Sequence, residues 1–293
     1  MKIAVASGKG GTGKTTIAVS LALSLADQAD VWLMDCDVEA PNAHLFLNPP
    51  LDKQTDAVIH IPQIDTEKCT LCGKCVEVCQ FHALAKVGKS ILVFPQLCHG
   101  CGSCTLNCPE KAIREIPNPI GLLEAGTTDS GIHFAHGMLT ISEPMSTPII
   151  RQLKQWEHPP QDAVIILDAP PGASCSVVET LHGVDFALLV TEPTPFGLHD
   201  LKQMVGIVED MDIPAGIVIN REDGSFPPLN DYCRENSLPV MLHIPYERRI
   251  AEGIARGDNL TEIHPKYLAA LRKVFDDIKQ IIHDQNQAAE KKV

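Results

Sequence analysis

The sequence predicts an α/β fold with a buried parallel sheet, interrupted by a small cysteine-rich insertion. Short apolar runs, of the kind that a strand covered on both faces needs, recur along the chain. A glycine-rich loop follows the first of these runs, and two repeated groups of four cysteines mark the insertion. With 293 residues the chain can bury a full α/β core, and its length allows two domains.

Charge and composition restrict the partners that we expect. The formal net charge is −13 at pH 7, whereas sequence-independent nucleic-acid binding needs a basic surface, so no nucleic-acid partner is expected. No apolar run approaches membrane-spanning length, so no stable membrane anchor is expected. The first core strand begins at Ile3, which leaves no room for a signal peptide and predicts a cytoplasmic protein. In that compartment the eleven cysteines are expected to be metal ligands before disulfides.

The glycine-rich loop covers residues 7–16, with the sequence SGKGGTGKTT. It follows an apolar strand over 3–6 and precedes a helix-like run over 17–25, which is the context of a phosphate-binding loop. Glycines can turn several N–H groups toward one anion, and the next helix points its positive end there. We expect Lys14 to reach the β- and γ-phosphates and the Thr15 hydroxyl to hold Mg²⁺. The predicted nucleotide-binding residues of this loop are Gly8, Lys9, Gly10, Gly11, Thr12, Gly13, Lys14, Thr15 and Thr16.

Carboxylates follow two other predicted strands. Asp35 and Asp37 come after the apolar run 31–34, and Asp168 comes after the run 163–167, at the head of the sequence DAPPG. Ligands bind at the carboxyl ends of strands in a parallel sheet, so these side chains are candidates for a nucleotide and Mg²⁺ site. An acidic helix cap or turn is the structural alternative.

The insertion is defined by its cysteine spacing. Two runs share the pattern C-x-x-C-x-x-C-x-x-x-C, and the second starts 29 residues after the first. This is the bacterial two-cluster ferredoxin pattern, in which the fourth cysteine of each run ligates the other cluster. The ligands predicted for the first [4Fe–4S] cluster are Cys69, Cys72, Cys75 and Cys108. Those predicted for the second are Cys79, Cys98, Cys101 and Cys104. A pair of zinc sites is the alternative, although four-thiolate zinc sites commonly use two separated C-x-x-C pairs.

Residues around the cysteines predict how the insertion folds. Residues 64–65 and 112–116 are expected to pair as outer strands, with a hairpin strand over 90–94. The sequence Pro-Asn-Pro at 117–119 predicts an exit linker. Gln80 stands where the second run has a proline, which predicts a looser turn in the first run.

The rest of the chain supplies further elements. Buried strands are predicted over 187–190, 215–219 and 240–246. The alternating stretch 131–141 predicts a strand pair, and residues 147–156 predict a helix. Residues 265–283 form an amphipathic helix with Leu268, Leu271, Phe275, Ile278 and Ile282 on one face. We expect it to pack on the sheet, and membrane targeting is the alternative.

Three residues outside these motifs allow a metal interpretation. His133 and His136 have no third ligand in view, so surface or packing histidines are expected. Cys175 follows the DAPPG stretch. A small buried residue is expected there, and contact with a metal or cluster in transit is the alternative.

One detail narrows the class of the phosphate-binding loop. Because Lys9 adds a second lysine inside the glycine run, KGGTGKTT resembles the loop of the MinD/ParA superfamily, which includes the nitrogenase iron protein and is related to Mrp-type iron–sulfur carriers. The resemblance covers nearly the whole chain. It implies a P-loop NTPase with a doubly wound, mostly parallel sheet and an inserted ferredoxin-like α+β domain. The implied ATPase domain occupies 1–59 and 118–293, and the insertion occupies 60–117.

The resemblance also implies roles for individual residues. Lys9 reaches across a dimer to the nucleotide of the other subunit, and Asp37 positions the attacking water, so Lys9, Lys14 and Asp37 are the implied catalytic residues. Asp35 supports the Mg²⁺ shell or the loop. The implied Mg²⁺ residues are Thr15, Asp37 and Asp168. The further implied nucleotide contacts are Gly172, at the γ-phosphate, and Asn220 and Arg221, at adenine.

The function implied is that of a dimeric ATP hydrolase with ATP, Mg²⁺ and two [4Fe–4S] clusters as cofactors. The partner subunit is a second copy or a similar paralogous ATPase. Related ATPases act in iron–sulfur and metal-cofactor assembly, which makes a client metalloprotein or a cofactor-assembly protein the expected partner. ATP-gated electron delivery is the first alternative, and a MinD-like positioning switch is the second.

Overall fold

The computed structural model describes residues 1–290, with side chains described as far as residue 287. Residues 291–293 of the predicted segment 118–293 lie outside this range. The strands are β1 Lys2–Ala6, β2 Val31–Asp35, β3 Lys53–Ile64, β4 Leu84–Val87, β5 Ser90–Val93, β6 Ile113–Thr127, β7 His133–Leu139, β8 Val164–Asp168, β9 Phe186–Thr191, β10 Ala215–Glu222 and β11 Val240–Pro245. The helices are α1 Lys14–Leu25, α2 His44–Leu47, α3 Lys74–Glu77, α4 Ser103–Leu106, α5 Thr147–Trp156, α6 Cys175–Leu181, α7 Pro195–Asp210, α8 Pro227–Glu235, α9 Arg248–Ala255, α10 Leu260–Ile263 and α11 Lys266–Glu290, with a 3-10 turn over Pro95–Leu97.

Nine of the described strands form one sheet in the order β11-β10-β9-β1-β8-β2-β7-β6-β3. The strands from β11 to β7 are parallel, and β6 and β3 extend the sheet in antiparallel pairing. Every residue of β2, β8 and β9 is buried, because helices cover both faces of the parallel part. The predicted α/β fold with a mostly parallel sheet is therefore confirmed.

Each face of the sheet has its own hydrophobic core. On one face α1 and α11 pack together over Ile3 and Val5 of β1, and on the other face α5, α6 and α7 cover Ala4 and Ala6. Side chains alternate between the two faces along a strand, which is why neighbouring residues of β1 enter different cores.

Helix α11 packs as predicted, but its buried face is rotated slightly from the predicted one. Tyr267, Leu271, Val274 and Ile278 are buried, whereas Leu268 is 37% exposed. The contact with α1 selects this face. Within residues 1–290, no helix combines the length and the apolar character needed to cross a bilayer.

The cysteine-rich segment extends from the antiparallel edge of the sheet. β3 and β6 pair from Lys53 opposite Ala125 to Ile64 opposite Ile113, and the Asp65 N–H donates to the Ala112 carbonyl at 2.8 Å. This confirms the predicted pairing of the outer strands. β4 and β5 form the predicted hairpin.

Two predictions for this edge are wrong. Residues 117–119 are not a linker, because they lie inside β6, opposite residues 58–60 of β3. Proline is tolerated there because β7 pairs with β6 only over residues 121–127, so 117–119 belong to an edge strand. The stretch 131–141 forms one strand, β7, and not a pair, since it pairs with β2 on one side and β6 on the other.

Candidate functional site

The phosphate-binding loop connects β1 to α1. Gly11 and Gly13 have φ angles of 76° and 96°, which glycine adopts without the strain that a side chain adds. Gly8 lies against α7, where a Cβ atom would stand 2.6 Å from the Asp200 carbonyl oxygen. The Lys14 side chain, at the start of α1, is buried. The shape of the loop is therefore supported by its glycine backbone angles and by its contact with α7.

A cavity of about 460 Å³ opens above this loop. Its polar side is formed by the loop, by Asp37 and Asn42, and by Asn220 and Arg221 near the end of β10. Its apolar side comes from α9. The predicted residues that line it are Gly10, Gly11, Gly13, Lys14, Thr15, Thr16, Asp37, Asn220 and Arg221. The predicted residues that do not line it are Gly8, Lys9, Thr12, Asp168 and Gly172.

The apolar wall includes side chains that sequence reasoning missed. Phe46 of α2 and Ile250, Ala251 and Ile254 of α9 face the cavity beside Tyr246. The spacing of Ile250 and Ile254, one helical turn apart after the last strand, was the available signal. An apolar wall opposite a phosphate-binding loop suits the flat face of a nucleotide base.

Asp168, at the end of β8, is completely buried, and neither of its carboxylate oxygens has a hydrogen-bond partner among the described residues. Burial raises the pKa of this carboxyl well above its usual value, and the neighbouring charge of Asp35 raises it further. Thr15 and Lys14 oppose this shift in pKa. The Thr15 hydroxyl thus lies near the Asp168 carboxylate without forming a hydrogen bond to it, and both carboxylate oxygens are open to a ligand. The donor set fits Mg²⁺, which takes hard oxygen ligands.

Asp35 and Asp37 have different environments. Asp35 accepts hydrogen bonds from the backbone N–H groups of Asp37 at 3.0 Å, Asn42 at 2.9 Å and Ala43 at 3.0 Å. It therefore holds the loop that carries Asp37. Asp37 is half-buried, and burial raises the pKa of its carboxyl while the Lys14 charge lowers it. Asp37 lines the cavity above the phosphate-binding loop.

Lys9 and Arg221 share one carboxylate. The Lys9 Nζ lies 2.8 Å from one oxygen of Glu192, and the Arg221 guanidinium binds the other oxygen at 2.5 Å. Glu192 is buried, with 7% of its surface exposed. Sequence reasoning missed Glu192, because nothing in the sequence shows that the end of β9 faces this loop.

Asn220 and Gly172 are engaged within the protein. The Asn220 side-chain amide donates to the Thr12 carbonyl at 2.7 Å, and its oxygen accepts from the Arg221 N–H at 2.9 Å. The Gly172 N–H donates to the Ser7 carbonyl at 3.0 Å. In this structure Asn220 supports the phosphate-binding loop, and the contacts of Asn220 with adenine and of Gly172 with the γ-phosphate stay predictions. The Asn220 amide keeps a second N–H for such a contact, whereas the single Gly172 N–H is already donated to Ser7.

The structure brings the eight motif cysteines together in two groups. One cavity in the insertion is lined by Cys69, Cys72, Cys75 and Cys108. A second cavity is lined by Cys79, Cys98, Cys101 and Cys104. Each group thus takes three cysteines from one run and the fourth from the other.

The two cysteine runs fold alike. Left-handed backbone angles recur 29 residues apart, at Leu71 and Gly100, at Gly73 and Gly102, and at His82 and Lys111. The Ala83 N–H donates to the Cys79 sulfur at 3.3 Å, and the Ala112 N–H donates to the Cys108 sulfur at 3.3 Å. The looser turn expected at Gln80 is therefore wrong, because the turn that contains it makes the same N–H to sulfur contact.

The remaining candidates are placed differently. His133 stacks on Trp32 with ring centroids 4.3 Å apart, and the His136 Nε2 lies 3.0 Å from a Glu124 oxygen, so both histidines pack. Cys175 is exposed at the start of α6, so its expected burial is wrong. Among the side chains of residues 1–287, no group of three or more from His, Cys, Asp or Glu is close enough to hold one metal ion. A four-iron cube makes a different demand, since each thiolate binds its own iron.

These features agree with comparisons to known proteins. Residues 3–260 match the nucleotide-binding domain family described as CbiA, CobQ/CobB/MinD/ParA. The chain belongs to this family. It is a P-loop ATPase of the MinD/ParA type, and ATP and Mg²⁺ are the cofactors of such a domain.

Relatives and solved structures extend this assignment. An uncharacterized protein of Methanocaldococcus jannaschii is 32% identical, with 88% of this chain and 91% of that protein covered. An iron–sulfur cluster carrier protein of Synechocystis is 25% identical, with 92% of this chain and 66% of the carrier covered. The structure of MinD from Pyrococcus horikoshii with Mg-ADP has a TM-score of 0.58 at 18% identity, with 96% of each chain covered, and shows the same fold.

Proposed function

We propose that this ATPase carries two [4Fe–4S] clusters in its insertion, residues 60–117, and couples them to the nucleotide cycle. The observation that supports this most is the grouping of eight cysteines around two cavities, each with three cysteines from one run and one from the other. That is the ligand exchange of two-cluster ferredoxins. Zinc would instead need four sulfurs close around one ion.

The chain's own residues fit such clusters. The N–H groups of Ala83 and Ala112 already point at ligand sulfurs, and hydrogen bonds to sulfur are among the contacts that tune a cluster. The clusters, when bound, supply one-electron chemistry or transferable iron and sulfide. The protein holds the thiolates and limits the access of water, with Cys75, Cys79, Cys98 and Cys104 buried.

The cellular role that we propose is iron–sulfur or metal-cofactor assembly, with a client metalloprotein or assembly protein as partner. Its support is the match to iron–sulfur cluster carrier proteins from Synechocystis, Helicobacter pylori and Escherichia coli at 24–26% identity. ATP-gated electron delivery is the second candidate, favoured by the ferredoxin-like pairing of the two cysteine groups. A positioning switch has less support, because the apolar face of α11 is packed on α1.

The nucleotide chemistry follows from the residues at the loop. Lys14 neutralises phosphate charge, Thr15 and Asp168 hold Mg²⁺, and Asp37 orients the attacking water. Lys9 completes a second subunit's site in a dimer of two copies or of this chain with a paralogue.

Two substitutions test these roles. Lys14→Ala should abolish tight ATP binding, whereas Asp37→Ala should keep binding and lose most turnover. Parent-level hydrolysis by Asp37→Ala would contradict the role given to Asp37.

Iron and sulfide analysis of anaerobically purified protein tests the clusters. We expect about eight irons and as many sulfides per chain, with a broad visible absorbance. Cys79→Ser and Cys108→Ser should each damage one cluster and spare part of the other. Cys233→Ser, at a buried cysteine of α8 outside the insertion, is the control and should keep both. Zinc in place of iron, without sulfide, would refute the proposal.

Cluster transfer separates the two candidate roles. An assembly factor should pass iron and sulfide to an apo-ferredoxin in the presence of a chelator that captures only free iron. An electron carrier should instead keep its iron content through repeated cycles of reduction and oxidation. ATP and ADP are compared in both assays.

A further inference from the structure

The 29-residue repeat that relates the two cysteine runs also relates Lys86 to Glu115. Lys86, on β4, donates through its Nζ to the Leu71 carbonyl at 2.5 Å, in the loop of the first cysteine site. Glu115, on β6, lines the second cavity, and its Oε1 lies 3.0 Å from where a Cβ of Gly102 would stand. Equivalent positions of the repeat therefore hold opposite charges, each against its own site.

The other charged groups around the two sites do not cancel this difference. Lys74 and Glu110 line the first cavity, and Lys74 also pairs with Glu77 at 3.2 Å. Lys86 thus balances the remaining carboxylate there. The second cavity is lined by Glu115 together with two histidines, His60 and His99. Arg114, the neighbour of Glu115, bonds Gln63 at 2.6 Å, on the opposite face of the β3–β6 pair.

We propose that Lys86 and Glu115 make the two cluster sites electrostatically unequal, so that the first electron added to the insertion resides at the site of Cys69, Cys72, Cys75 and Cys108. This inference rests on the proposed clusters. The electron is gained by one cluster and no proton or bond changes, so its position depends on the local potential alone. A nearby cation stabilises the added negative charge, and a nearby carboxylate opposes it.

The positions of the two sites decide at which end of the insertion the first electron resides. His60 and Pro62 of β3 line the second site, whereas Ile64 of β3 and Ile113 of β6 line the first. β3 runs outward from the main sheet at about 3.3 Å per residue, so the first site lies roughly 10 Å further from the ATPase body. A single electron therefore rests at the outer end of the insertion, where a partner can reach it.

A redox titration of the holoprotein tests this inference. The anaerobic protein is reduced stepwise with dithionite, and each cluster is followed by electron paramagnetic resonance. A Cys72→Ser protein identifies the signal of the first site. We expect the first site to be reduced at the higher potential. Glu115→Gln should raise only the lower potential and change the electron distribution between the sites by about threefold or more, since the charge is exposed and partly screened.

The charge swap is the decisive variant. Lys86→Glu combined with Glu115→Lys should reverse the order of the two potentials, and the effect should shrink at about 1 M salt. Lys89→Glu, at an exposed lysine in the hairpin turn, is the matched control. Full iron and sulfide content with both potentials unchanged in Glu115→Gln and in the swap would overturn this inference alone. Absence of cluster sulfide in the parent protein would overturn the proposed function as well.

Discussion

Asp168 has a fully buried carboxylate that favours a bound cation. A buried carboxylate without a hydrogen-bond partner is costly, because burial removes its hydration and nothing in the described chain replaces it. At Asp35 three backbone N–H groups offset part of this cost, although burial still raises the pKa of its carboxyl. We propose that Mg²⁺ gives the Asp168 carboxylate the compensating contact that the protein does not supply.

The first prediction concerns Asp168→Asn. The variant removes a buried charge, so without nucleotide it should unfold at a higher temperature than the parent at pH 7.5, by roughly 2–4 °C for each kcal/mol gained. It should also lose the increase in melting temperature that Mg·ATP gives the parent. Thermal unfolding in EDTA, then with Mg·ATP, measures both. A full Mg·ATP stabilisation in Asp168→Asn would remove Asp168 from the metal site.

The stability difference between Asp168→Asn and the parent should depend on pH with a fixed sign. The pKa of Asp168 is raised in the folded protein, so its charge lowers stability above that pKa and has no effect below its ordinary value of 3.8. The stability advantage of Asp168→Asn should therefore shrink as the pH falls.

Some residues of the site could be predicted from the sequence, and others could not. The roles around Lys14 and Thr15 depend on a local strand–loop–helix pattern, which the sequence carries completely. The cysteine grouping depends on spacing alone. Glu192 and the α9 wall come from elements far along the chain, and only the packed sheet shows that they face the loop.

At the scale of elements, Glu192 connects the end of β9 to the phosphate-binding loop. It holds Lys9 and Arg221 together through its two carboxylate oxygens. Lys9 is the residue that we propose to act in a second subunit, so its contact with Glu192 competes with dimer formation.

The second prediction is that the Glu192→Gln variant dimerises in the presence of ATP at a lower protein concentration than the parent does. The pair includes a one-third exposed lysine, so the gain is modest, up to about fivefold in the association constant. Analytical ultracentrifugation with the non-hydrolysing Asp37→Ala background measures it. The Lys9→Ala/Glu192→Gln double variant should show no gain. An equal gain in that double variant would mean that Glu192 acts through another group.

The third prediction compares two glycines in different elements. Gly126 of β6 lies so close to the Pro50 carbonyl that a Cβ cannot fit without backbone movement, so Gly126→Ala should destabilise the fold by about 1–3 kcal/mol. Gly206 is inside α7 with open space around it, so Gly206→Ala should stabilise by about 0.5–1 kcal/mol. Urea unfolding of both variants measures the difference. Equal effects would show that the edge at Gly126 adapts freely.

The same edge explains which elements the sequence could not predict. Pro-Asn-Pro at 117–119 has the local composition of a loop, yet it continues β6 because β3 pairs alongside it. The stretch 131–141 has the alternation of a hairpin, yet it forms one strand because β2 and β6 take its two edges. Pairing between distant segments decided both cases, whereas the buried apolar strands β2, β8 and β9 were already specified by local sequence.

The insertion is joined to the nucleotide site through the paired strands of the sheet. The Leu139 N–H at the end of β7 donates to the Val38 carbonyl at 2.7 Å, next to Asp37. β7 pairs with β6, and β6 with β3 continues into the cysteine segment. The Asp37 loop and the insertion are thus connected through hydrogen-bonded strands. Residues 117–119 take part in this pairing and do not form a flexible connection.

The last prediction concerns coupling between nucleotide and clusters across this edge. If ATP moves the Asp37 loop and closes a dimer through Lys9, the environment of the insertion should differ between the ATP and ADP states. Coupling requires that the cluster-bearing insertion have a different free energy in the ATP state than in the ADP state. The rate of iron loss to a chelator should therefore differ between ATP and ADP by about fivefold or more. Lys9→Ala should keep both clusters, because Lys9 is far from the cysteines, and should lose ATP-dependent dimerisation together with the nucleotide effect. Absorbance at cluster wavelengths, recorded with each nucleotide on parent and variant, measures the rates. Equal rates in ATP and ADP for the parent would mean that the insertion is carried by the ATPase without being controlled by it.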